Sequence, residues 1–170
     1  VPQQSSTDRN RLSTSGPQGD ESFFAAIPVP ARWFGLSGAI PFVFLSIGGA
    51  LSSGAHQSLA YFTLVAYGAV ILSFLGGVHW GRAITALDKG AVADKFLWVS
   101  LGISVVPSLF GWLTLLVPMA IGLPVLAVCF AAMLLIDLQT VKSGQFPSWY
   151  GNLRVILSVI VIASLLFAWL

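Results

Sequence analysis

Residues 59–95 read LAYFTLVAYGAVILSFLGGVHWG and then RAITALDKGAVADK, and the junction between the two strings decides the fold. The first string has no Asp, Glu, Lys or Arg and exceeds the roughly 20 apolar residues that carry a helix across a bilayer. The second holds Arg82, Asp88, Lys89, Asp94 and Lys95, side chains that belong at or beyond a membrane surface. The junction therefore marks the end of a span.

Outward from it the alternation repeats. Trp33 to about Leu51 is apolar and is closed by Ser52-Ser53-Gly54-Ala55-His56-Gln57-Ser58. On the other side, Phe96 to about Leu116 leads through a Pro118 to Pro124 hinge into Val125 to about Ile136. Asp137 to Asn152 is polar, and Leu153 to Leu170 is apolar again. The pattern predicts an all-α, polytopic transmembrane helix bundle of about five spanning helices over residues 32–170, with four spans and a re-entrant hairpin as the alternative because the fourth run is short. Composition agrees: of 170 residues, 56% are hydrophobic and 8% charged, against roughly 25% charged in a soluble domain, and mean hydropathy is +0.89.

Residues 1–31 form a polar N-terminal tail with an interfacial anchor. Val1 to Glu21 has almost nothing to bury, the composition of a segment that stays disordered alone. A start at Val1 and the stretch Arg9-Asn10-Arg11-Leu12-Ser13-Thr14-Ser15 are compatible with a processed precursor, although Asp8, Asp20 and Glu21 do not suit a transit peptide. Phe23, Phe24, Ile27, Pro28, Pro30 and Trp33 are expected to lie at headgroup level.

Charge gives an orientation. With five alternating helices, all eight Lys and Arg fall on one face: Arg9, Arg11, Arg32, Arg82, Lys89, Lys95, Lys142 and Arg154. The positive-inside rule then places the N-terminus in the cytoplasm or mitochondrial matrix and the C-terminus across the membrane. Because these cations are scattered singly, nucleic-acid binding is excluded despite the net charge of +2. The single cysteine, Cys129, lies within an apolar run and supplies neither a disulfide nor a cysteine metal site.

Rows of small residues predict helix packing seams, namely Ala69, Ser73, Gly77 and Gly81 in the second span and Ser100, Ser104 and Ser108 in the third. Residues that could carry chemistry are few. His79 suits a haem ligand, a proton relay, a quinone-site donor or a hydrogen-bonded structural histidine, and His56, the other histidine, belongs at the opposite face. Arg82, Asp137 and Arg154 fall at helix ends on the charged side, where Asp137 is expected between the two arginines, as a functional cluster or as headgroup anchors. Trp33, Trp80, Trp98, Trp149 and Tyr150 suit an aromatic belt on that face, Trp112 and Trp169 one on the other. The sequence contains no nucleotide loop, no metal-spaced His or Cys cluster and no nucleophile triad, so no catalytic, cofactor or metal residue is assigned.

Gly35-Leu36-Ser37-Gly38-Ala39-Ile40-Pro41-Phe42 and Phe74-Leu75-Gly76-Gly77-Val78-His79-Trp80-Gly81 belong to one ordered pattern. Pro107-Ser108-Leu109 with Trp112, then Asp137, then Pro147-Ser148-Trp149-Tyr150 with Leu153-Arg154 continue it. From about Trp33 to Leu170 the chain resembles the domain-of-unknown-function 3429 family, which is similar to transmembrane protein 69. The resemblance implies a bacterial or mitochondrial membrane and no particular mechanism. The expected function is that of a non-catalytic accessory or assembly subunit of a respiratory-chain complex in the mitochondrial inner membrane. Its partners would be membrane lipids and other subunits, and it would need no cofactor beyond structural lipid. A small transporter or channel is the alternative, disfavoured by the odd span count and by charges confined to helix ends.

Overall fold

In a computed structural model, residues 26–88 and 94–170 are described. Residues 1–25 and 89–93, with Arg9, Arg11, Phe23, Phe24 and Lys89, lie outside the described residues. The remainder forms α1 (Val29–Ala50), α2 (Gly54–Asp88), α3 (Asp94–Leu113), α4 (Met119–Lys142) and α5 (Ser148–Trp169). All five are long and apolar enough to cross a membrane, and no strand occurs among the described residues.

The helices extend beyond the apolar runs, for local reasons. At 35 residues, α2 is about 50 Å long against a hydrocarbon core of about 30 Å. Nothing in Arg82 to Asp88 breaks a helix, so Arg82 stands on α2 and not in a loop. Similarly, α4 runs from Met119 to Lys142, which leaves Asp137 inside the helix. Pro118 caps it, and Pro124 is absorbed in its second turn. A proline there lacks the N–H that would bond the Ala120 carbonyl. The indole Nε1–H of Trp169 donates to that carbonyl instead, at 3.0 Å. At the N-terminal side, α1 already begins at Val29, with Ile27 buried just ahead of it.

α2 and α4 meet across the centre. α3 packs along α2, α5 along α4, and α1 lies across α2 and α5. The core is apolar, with Phe42, Leu64, Leu72, Leu126, Phe130 and Leu165 at its centre, and Phe42 sets its ring edge on Phe130 at 5.8 Å. Outward faces carry Phe34, Phe44, Val128 and Leu135, as lipid-facing helices require.

The expected seam on α2 is corrected. Ala69 is buried, and its Cα would lie 3.1 Å from a Cβ on Gly111 of α3. Ser73, Gly77 and Gly81, however, face outward, and a Cβ on either glycine would meet nothing within 4 Å. A strict four-residue repeat turns about 40° per step on a helix of 3.6 residues per turn, so Gly81 lies about 120° round from Ala69. The buried stripe alternates steps of three and four instead: Ala69, Leu72, Gly76, His79 and Ala83. At Gly76 the backbone carbonyl of Ser104 occupies the space a side chain would need. On α3, Ser100 and Ser104 are buried and Ser108 is half-buried.

Candidate functional site

Three of these stripes each contain one ionisable residue. On α2 it is His79, on α4 Asp137 follows Leu126, Phe130 and Met133, and on α5 Arg154 precedes Ser158, Val161 and Leu165. The stripes converge near the charged end of the bundle. Asp137 is completely buried, His79 likewise, and Arg154 is 5% exposed. Nε2–H of His79 donates to Asp137 Oδ1 at 2.8 Å, and Nε–H of Arg154 donates to Oδ2 at 2.5 Å. One carboxylate therefore ties α2, α4 and α5 together. A charge at this depth is tolerable because its counter-ion and hydrogen-bond donor are both in place.

Arg82 does not join this pair, against the expectation that Asp137 lies between two arginines. It is held in an outer group by the turn between α4 and α5. Gly144 there takes φ 73°, its N–H donates to Val141 O at 2.9 Å, and Gln145 N–H donates to Thr140 O at 3.1 Å. This is the Schellman closure, which favours glycine at the left-handed position. It presents Gln145 and Phe146 to α2. Arg82 donates through Nη1 to Gln145 Oε1 and through Nη2 to Ser100 Oγ, the latter at 2.9 Å. Its guanidinium also lies 5.2 Å from the Phe96 ring centre and 5.8 Å from that of Phe146. Phe146 links the two groups, its ring 5.4 Å from His79 and 4.8 Å from Tyr150.

Residues 27–170 match the family model described as protein of unknown function (DUF3429). The chain belongs to that family. It is 38% identical over 138 residues to transmembrane protein 69 of Xenopus tropicalis, covering 81% of this chain and 53% of that relative. Against transmembrane protein 69 of Mus musculus it is 27% identical over 137 residues, covering 81% and 54%. The chain thus spans about half the length of these curated relatives. No solved structure matches it.

The family match encloses all five helices of this DUF3429 chain, and with them both polar groups. His79 and Asp137 are two potential metal ligands, but no group of three His, Cys, Asp or Glu able to hold an ion gathers among the described residues. His56 stands exposed in the first turn of α2, about 35 Å along the helix from His79. The aromatic residues divide: Trp33, Trp80 and Trp98 face outward near the charged end, Trp112 and Trp169 near the other. Tyr150, expected in the belt, turns inward instead, with its hydroxyl buried and unpartnered.

The pairing of His79 with Asp137 and the parts played by Gln145 and Phe146 were not foreseen from the sequence. For His79 a signal existed, since its place in the three-four alternation from Ala69 sets it on the buried face. The others depend on contacts between helices, which spacing along one helix does not specify.

Proposed function

We propose that this chain is a non-catalytic multi-pass subunit that supports assembly of a larger membrane complex by receiving a partner helix on α2. The observation that carries this reading is the outward position of Ser73, Gly77 and Gly81. Such a row gives no packing inside this chain, and small residues let a second backbone approach closely where lipid provides no hydrophobic drive. Among the described residues the core beyond the Asp137 cluster is built chiefly from apolar side chains such as Leu72, Leu126 and Phe130, which favours a subunit over a small transporter or channel. The setting this reading takes is a respiratory-chain complex of the mitochondrial inner membrane. The charge asymmetry supports an N-terminus in the matrix and a C-terminus in the intermembrane space, or a cytoplasmic N-terminus in a bacterial plasma membrane.

The experiment is extraction of the tagged chain in mild detergent, with co-purifying subunits identified by mass spectrometry. Gly77→Leu with Gly81→Leu is expected to strip the partners while the chain keeps its helix content and stability. Isolation of the wild-type chain alone, or retention of all partners by the double variant, would overturn the docking surface.

A further inference from the structure

Most buried hydroxyls in the bundle are satisfied by a backbone carbonyl three or four residues earlier in the chain. Ser46 donates to Val43 O, Ser104 to Ser100 O, Thr114 to Gly111 O, Thr140 to Ile136 O and Ser164 to Ile160 O. Ser158 is different. It is 1% exposed, and its Oγ has no hydrogen-bond partner. One turn before it on α5, Arg154 uses Nε on Asp137 and leaves Nη2 buried and unpartnered.

These two side chains are the polar residues in the wall of a single crevice of about 140 Å³. It lies beneath α1, where Gly38 and Phe42 face Leu75 of α2 and Phe130 of α4. Leaving a buried donor unmade is costly, and buried polar groups in native proteins nearly always find a partner. Here the partner would have to enter the crevice.

Size, charge and access narrow its chemistry. A cavity near 150 Å³ holds one benzene-sized ring. Asp137 already pairs with Arg154, so an anionic ligand on the same guanidinium would bring a second negative charge beside that carboxylate in a low-dielectric site. A neutral acceptor, such as a carbonyl oxygen, avoids that. The rim carries Phe34 and Phe74, both exposed on the lipid-facing surface, so a ligand reaches the crevice from the bilayer. From Ala39, which the two share, an apolar groove of about 530 Å³ lined by Ile40, Val43 and Ile47 continues along α1 toward Leu51. It accommodates a hydrocarbon tail.

We infer that the crevice beneath α1 binds a neutral, single-ring carbonyl headgroup on an apolar tail, the chemistry of a membrane quinone, hydrogen-bonded by Arg154 Nη2 and Ser158 Oγ. The inference is one of binding and involves no electron transfer. It stands independently of the partner surface on α2.

The test uses the full chain in mild detergent and a photoreactive azido-benzoquinone with a ten-carbon tail, its adducts mapped by mass spectrometry. Saturable labelling is expected on the α1, α2, α4 or α5 residues that line the crevice. Unlabelled benzoquinone with the same tail should displace it. Decylbenzene, which lacks the carbonyl, and decanoate, which is anionic, should compete at least roughly tenfold less well. Ser158→Leu fills the crevice and should abolish labelling. Ser158→Ala removes one hydroxyl without adding bulk and should weaken binding roughly three- to tenfold. If Ser158→Leu does not fold, Ser158→Ala and the competitors still decide. Non-saturable labelling, label elsewhere, equal displacement by decylbenzene or decanoate, or wild-type binding by Ser158→Ala would overturn the site.

Discussion

At the charged end of the bundle α2, α4 and α5 meet through His79, Asp137 and Arg154, whereas at the opposite end α4 and α5 meet through apolar side chains and one indole–carbonyl hydrogen bond from Trp169 to Ala120. The first junction is directional, because a carboxylate with donors on both oxygens accepts few rotations of the three helices about their axes. The second relies on shape. Gly122 lets α4 approach the end of α3, where a Cβ would come within 2.8 Å of Thr114 O. Ion pairs taken out of water seldom add much net stability, because desolvation offsets their attraction. The contrast teaches that the polar end fixes helix register while the apolar contacts supply most of the packing free energy.

The largest expected effect breaks the directional junction from one side. Arg154→Ala leaves Asp137 as a buried carboxylate without its counter-ion, and a loss of about 3 to 5 kcal/mol is expected. Unfolding in mixed micelles, followed by circular dichroism, measures it. Asp137→Asn removes the charge but keeps an acceptor, so it should cost less than Arg154→Ala. Replacing both, as Asp137→Leu with Arg154→Leu, should recover much of the stability lost in Arg154→Ala. A double variant as unstable as Arg154→Ala would show that the ion pair contributes far more than helix register.

A second test compares two adjacent glycines of α2. Gly76→Leu drives a side chain into the Ser104 carbonyl and is expected to cost about 1 to 3 kcal/mol or more, as overpacking does. Gly77→Leu places its side chain in open space and should change the stability of the isolated chain by only about 0.5 kcal/mol. Equal destabilisation would mean that α2 is rotated relative to the stripe Ala69, Leu72, Gly76, His79 and Ala83.

The same pair of glycines shows what was legible in the sequence. Four of the five spans followed from apolar length, since a bilayer selects helices by that criterion, whereas the short run Val125 to Ile136 needed the one-sided distribution of Lys and Arg as well. The helix ends did not follow, because a helix continues past the membrane wherever nothing breaks it, as from Arg82 to Asp88. The small-residue row of α2 was visible, but which face it occupies depends on rotation. A repeat of four drifts where a repeat alternating three and four does not. Asp137 and Arg154 were recognisable as a possible pair from charge and depth. Their partner His79 and the diversion of Arg82 to Gln145 and Ser100 rest on the Gly144 turn and on contacts between helices distant in sequence.

The smallest effect probes the apolar end. Pro124 donates no N–H, which leaves the Ala120 carbonyl to Trp169. Trp169→Phe removes that donor while keeping an aromatic ring, and a cost of about 0.5 to 1.5 kcal/mol is expected, the usual net value of one hydrogen bond. Pro124→Ala supplies an N–H one turn after Ala120, which restores the intrahelical bond to the same carbonyl. In that background Trp169→Phe should be nearly silent, giving a positive coupling between the two positions in a double-mutant cycle. Additive effects would show that Trp169 stabilises this end by ring packing alone. The difference between the ends would then reduce to the presence or absence of buried charge.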